Sequence, residues 1–112
     1  MKNSLFLLIL LMLNISLFAQ DTAYGLDSNI RYYQDSVSNQ NQYISERCVL
    51  DIYYPQNKPS FATVVWFHGG GLSGGQKHIP KALKQEGIAV VSVNYRLYPK
   101  VNAPAYIEDA AA

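Results

Sequence analysis

Apolar and polar residues alternate in "RCVLDIYY", Arg47 to Tyr54: Cys48, Leu50, Ile52 and Tyr54 point one way, and Arg47, Val49, Asp51 and Tyr53 the other. This period of two predicts a half-buried strand, stopped by Pro55. "FATVVWF", Phe61 to Phe67, and "IAVVSVNY", Ile88 to Tyr95, are instead continuously apolar and β-branched, as strands covered on both faces are. Between them, Ile79, Ala82 and Leu83 give one apolar helical face. Pro80 suits the first helical position and Gly87 the residue just past the end. Strand, helix and strand in that order predict a βαβ unit and a parallel sheet. A second helix is predicted from about Pro104 through "AYIEDAAA". Upstream, Asp21 to Gln42 is polar except for "NIRYY", which predicts an edge strand near Ile30 to Gln34 and a turn in "SNQN".

The first twenty residues stand apart. Lys2 precedes an unbroken apolar run from Leu5 to Leu13 and then "NISLFAQ", the pattern of a secretory signal peptide over residues 1–20. The stretch from Leu5 to Ala19 contains Asn14 and Ser16 and falls short of the roughly 20 apolar residues that span a bilayer. Cleavage is expected after Ala19 or Gln20, giving an exported protein, periplasmic or extracellular. Loss of Lys2 leaves eight basic against eight acidic residues. A neutral chain has no electrostatic footprint for nucleic acid or for an anionic membrane surface. After export the lone Cys48 is either buried or paired outside the chain, and its place within a strand favours burial.

Three catalytic signatures overlap in "HGGGLSGGQK", His68 to Lys77. "LSGGQK" is like an ATPase signature, but no G-x-x-x-x-G-K-[ST] phosphate loop accompanies it. Asn94 also stands where an acidic metal-binding residue belongs, and a helix from Ser73 would hold Pro80 in its interior at about 3 kcal/mol. Gly71, Ser73 and Gly75 match G-x-S-x-G, which places a nucleophilic Ser on a sharp turn between strand and helix. Here His68 to Leu72 intervene before Ser73 and four more residues before Pro80, so Ser73 is read as a hydroxyl that bonds local backbone. "HGGG", directly after an apolar strand, fits a third chemistry. Acyl transfer puts negative charge on a former carbonyl oxygen, and fixed backbone N–H groups stabilise it. Consecutive glycines allow the turn and the close approach of substrate. The strand with Trp66 before this run argues against a merely flexible surface loop.

"VLDIYYP", "VVWFHGGGLSGG", "VVSVNYRLYP" and "PAYIEDAAA" occur in an order and spacing that resemble the N-terminal part of an α/β-hydrolase of the esterase and lipase group with an HGGG oxyanion loop, over about Val49 to Ala112. The resemblance implies an α/β fold for residues 21–112, with antiparallel edge strands followed by parallel βαβ, stopping before the nucleophile elbow. It implies that Gly70 and Gly71 supply oxyanion donors, a third coming from the residue after the nucleophile, and that His68 braces the turn through its ring. It makes Arg96 a structural cation facing Glu108 or Asp109, the alternative being a solvated Arg. Tyr95, Tyr98 and Tyr106 are read as packing residues.

Chemistry of this type takes a Ser, then an acid, then a His after the loop. His78 is the only later His, and no elbow follows, so the triad is expected outside these residues. The chain alone is expected to be inactive. The implied function is a secreted serine carboxylic ester hydrolase, with a small-molecule or carbohydrate ester as substrate and with no cofactor and no metal. The second reading is a secreted hydrolase-like protein that binds a ligand or partner without catalysis. Sequence beyond Ala112 separates the two.

Overall fold

The computed structural model describes residues 21–112, so the expected signal peptide lies outside the described residues. Four strands form one mixed sheet in the order β1-β2-β4-β3: β1 (Tyr24–Arg31), β2 (Val49–Pro55), β3 (Thr63–Phe67) and β4 (Ala89–Val93). β1 pairs antiparallel with β2, β2 antiparallel with β4, and β3 parallel with β4. This is the antiparallel-then-parallel sheet implied by the sequence. β4 lies between β2 and β3, which makes it the best-buried element, with Val90 and Ser92 fully enclosed.

Several elements differ from the sequence reading. β1 starts at Tyr24 rather than near Ile30, and a bulge between Asp27 and Ile30 interrupts its register. Its "YGLDSNIR" sequence is mostly exposed, so backbone pairing to β2 holds it, aided by Tyr24 stacked on Tyr53 at 4.6 Å. Two short helices that the sequence reading did not expect, α1 (Asp35–Ser38) and α2 (Gln42–Arg47), flank the turn expected in "SNQN". Asn41 caps α2, its Oδ1 accepting from the N–H groups of Tyr43 and Ile44 at 3.0 and 3.2 Å. Arg47 is therefore the last helical residue, and β2 begins at Val49.

The helix expected to start at Pro80 and stop before Gly87 is only one 3-10 turn, Lys81–Leu83, with Pro80 and Lys84 extended on either side. Residues 80–86 make barely two turns, too few to persist without a packed apolar face. Ala82 is exposed, and Gly87 uses its left-handed φ of 72° in a loop. β3 is not covered on both faces: Val65 and Phe67 are exposed, because β3 is the outer strand and its outer edge has no neighbour among the described residues.

The expected helix at the C-terminal end is present as α3 (Ala105–Ala111). It is anchored to the end of β4 by a buried ion pair. The guanidinium of Arg96 donates from Nε to both oxygens of Asp109 at 3.0 Å and from Nη2 to Oδ1 at 2.7 Å. The main-chain N–H of Arg96 donates to Oδ2 at 2.8 Å, and Tyr33 Oη to Oδ1 at 2.9 Å. Glu108 stands 3.6 Å from the same guanidinium, so Arg96 is the structural cation of the first reading.

Burial pushes the Asp109 carboxyl upward, but the hydrogen bonds from Arg96 and Tyr33 outweigh it and hold the group below the usual carboxylate range. Those to Asp109 hold Arg96 above its usual range. Burial, with the bond to Asp109, pushes Tyr33 up to about 12. Cys48 is buried beside this cluster, and burial pushes its thiol up to about 11, which leaves little thiolate at neutral pH. Among the described residues no helix is long and apolar enough to cross a membrane.

Candidate active site: the glycine loop after β3

The loop that follows β3 is gripped at both ends. His68 is buried, its ring stacked on Tyr95 at 4.6 Å and 14°, and Tyr95 Oη donates to the His68 carbonyl at 2.7 Å. At the far end, the Lys77 N–H donates to Asn94 Oδ1 at 2.6 Å, while Ser92 Oγ accepts from the His78 N–H and donates to its carbonyl at 2.9 and 2.8 Å. Asn94 and Ser92 are buried residues at the end of β4, so the polar positions within "VVSVNY" serve to fasten the loop. Lys77 Nζ also pairs with Asp51 of β2 at 2.6 Å. His78 is held by its backbone, and its ring meets Trp66 edge-on.

Inside the loop, each peptide of the glycine run is oriented by its carbonyl. His68 Nδ1 lies 2.8 Å from the Gly69 carbonyl. The Gly70 N–H belongs to the same trans peptide and so points the opposite way, away from the ring. The Gly70 carbonyl accepts from the N–H groups of Ser73 and Gly74 at 3.2 and 3.1 Å and from Ser73 Oγ at 3.3 Å. That turn directs the Gly71 N–H away from itself by the same geometry. Gly70 and Gly71 are exposed, and neither N–H donates to a protein acceptor among the described residues. Ser73 spends its hydroxyl on the local backbone, as expected for it.

Two glycines are required by contact as well as by conformation. Gly70 has φ 129°, and a Cβ there would run into the Gly74 carbonyl. At Gly75, φ 99°, it would meet the Gly69 carbonyl and the His68 ring. Leu72 sits at φ 62°, a left-handed conformation that costs a residue with a side chain on the order of 1 kcal/mol. Its carbonyl accepts from the Tyr98 N–H at 2.8 Å. The Leu72 side chain joins Phe67, Tyr95, Tyr106 and Ile107 around an open apolar hollow of about 450 Å³. Tyr95, buried and stacked on His68, is a packing residue that shares the lining of the hollow with Tyr106, whereas Tyr98 is exposed.

The sequence reading missed Arg47. Its guanidinium reaches the Tyr95 carbonyl, His68 Nε2 and the Gly75 carbonyl, three partners 21 or more positions away. No local pattern announces such a residue. Among the described residues no group of three or more His, Cys, Asp and Glu side chains is placed to hold a metal ion.

The BD-FAE family model matches residues 50–112. Fumonisin B1 esterase of Sphingopyxis macrogoltabida is 41% identical over 59 residues, which cover 46% of this chain and 11% of that protein. Lipase 2 of Moraxella sp. (strain TA144) is 35% identical over 95 residues, 80% of this chain and 19% of the relative. Among solved structures, esterase B from Lactobacillus Rhamnosis (HN001) matches with a TM-score of 0.60 and 28% identity, over 81% of this chain and 28% of that one. The chain therefore spans less than a third of the length of each of these proteins. Ordered motifs, sheet order and relatives agree: the chain belongs to the BD-FAE family, esterase- and lipase-like hydrolases of the α/β-hydrolase fold.

Proposed function

We propose that this chain is the N-terminal part of an exported serine carboxylic ester hydrolase and supplies its oxyanion loop. The observation that carries the reading is the pair of exposed, unclaimed N–H groups of Gly70 and Gly71, each aimed by a hydrogen-bonded carbonyl of its own peptide or turn. In the proposed reaction a Ser from beyond Ala112 attacks the ester carbonyl and passes its proton to a His oriented by an acid. The carbonyl oxygen becomes negatively charged and is held by Gly70 and Gly71. Because the donors are fixed beforehand, they need no reorganisation when the charge develops. The intermediate collapses, the alcohol leaves with the proton, and water then releases the acid from the acyl-enzyme.

A small-molecule or carbohydrate ester is the substrate class this reading supports. The similar esterase B has been described with a tributyrin phosphonate inhibitor, which favours a short acyl chain. The apolar hollow beside Leu72 offers a surface of matching character. Export rests on the N-terminal pattern of residues 1–20.

The test is hydrolysis of a chromogenic short-chain ester by the purified full-length protein. Turnover well above the buffer rate is expected. A folded full-length protein that binds the ester or a phosphonate without turnover would overturn the catalytic reading in favour of a binding protein.

A further inference from the structure

Resting on the ester-hydrolase reading above, we infer that Arg47 is a positioning residue: it sets which nitrogen of His68 carries the proton and thereby aims the Gly70 N–H. The guanidinium is half-buried and engages partners through Nε and Nη2. Nε donates to the Tyr95 carbonyl at 2.9 Å, and Nη2 donates to the Gly75 carbonyl at 2.6 Å and to His68 Nε2 at 3.1 Å. A guanidinium has donors and no acceptor. Nε2 of His68 must therefore accept, and the ring proton lies on Nδ1, from which it is donated to the Gly69 carbonyl at 2.8 Å. That carbonyl shares its trans peptide with the Gly70 N–H, so capturing the one directs the other.

The surroundings leave the ring little room to compensate. It is stacked on Tyr95, and the Tyr95 hydroxyl holds the His68 carbonyl. Without Arg47, Nε2 loses its donor and His68 can carry its proton there. Nδ1 would then present a lone pair to the Gly69 carbonyl. Two acceptors at that separation repel, the peptide turns, and the Gly70 N–H leaves its aim. Since the donor matters most when the oxygen is charged, the loss falls on turnover rather than on ground-state binding.

The experiment reads the tautomer of His68 by nitrogen-15 NMR in the full-length protein, alongside kcat and KM for p-nitrophenyl butyrate in wild type and Arg47→Met. Wild type is expected to carry the proton on Nδ1. Arg47→Met should shift it toward Nε2 and lower kcat about 10- to 100-fold, less than complete loss of a donor, with KM little changed. A wild-type proton on Nε2 overturns the inference without any variant, so it remains testable if Arg47→Met does not fold. An Arg47→Met protein with unchanged tautomer and kcat, or with a loss confined to KM, also overturns it. Wild type that folds but hydrolyses no ester instead overturns the ester-hydrolase reading, and the tautomer in the two proteins still decides whether Arg47 controls His68.

Discussion

At the scale of single residues, Gly70 and Ser73 separate the two hydrolase signatures that share this loop. A side chain at Gly70 would collide with the Gly74 carbonyl and resist φ 129°. Gly70→Val in the full-length protein should therefore lower kcat by about 100- to 1000-fold, as for the loss of an oxyanion donor. Ser73→Ala removes one exposed 3.3 Å hydrogen bond and should cost about 0.5 kcal/mol of stability while leaving most turnover in place. Steady-state kinetics on folded variants check both. If Ser73→Ala alone abolishes activity, Ser73 is the nucleophile. The glycine turn was legible because local sequence dictates its backbone conformation, with φ 129° at Gly70 and 60° at Gly71. Arg47 was not, since its function depends on three partners brought close only by the fold.

Among the elements, β4 and α3 were read nearly at their observed places because burial follows composition: "AVVSV" has few other environments, and "PAYIEDAAA" is helix-forming. The helix after Pro80 failed because its end signals were real but served loops, Pro80 extended and Gly87 left-handed. β1 was misplaced because a strand held by backbone pairing carries little hydrophobic pattern. The ion pair between β4 and α3 makes a testable claim. Asp109→Asn leaves the buried Arg96 guanidinium with only the exposed Glu108 carboxylate, 3.6 Å away, as counter-charge and should destabilise the full-length protein by about 3 kcal/mol at neutral pH.

The folded carboxyl titrates below its unfolded value of about 3.9. Its contribution is therefore complete above that value and is lost as pH falls through the folded one. Urea midpoints of wild type and Asp109→Asn should thus lie far apart at pH 7 and converge toward pH 3. A constant gap across that range would contradict the account.

For the whole molecule, the uncovered side of the sheet is the governing feature. β3 forms one edge of the sheet, because β4 returns between β2 and β3. Val65 on β3 is 55% exposed and Ile107 on α3 68%, with Phe67 between them also open. Trp66 Nε1 is a buried donor with no acceptor among the described residues. An apolar face beside a free strand edge invites association. Residues 21–112 expressed alone should therefore aggregate and show no cooperative unfolding as a monomer; size-exclusion chromatography with thermal melting checks this. A monomer with a sharp transition would contradict it. The central claim concerns the two glycine N–H groups, and a crystal structure of the full-length protein inactivated by a butyl phosphonate tests it most directly. The account predicts the phosphoryl oxygen about 2.7 to 3.1 Å from the Gly70 and Gly71 nitrogens, with phosphorus bonded to a Ser beyond Ala112. A phosphoryl oxygen held elsewhere, or phosphorus on Ser73 Oγ, would contradict it.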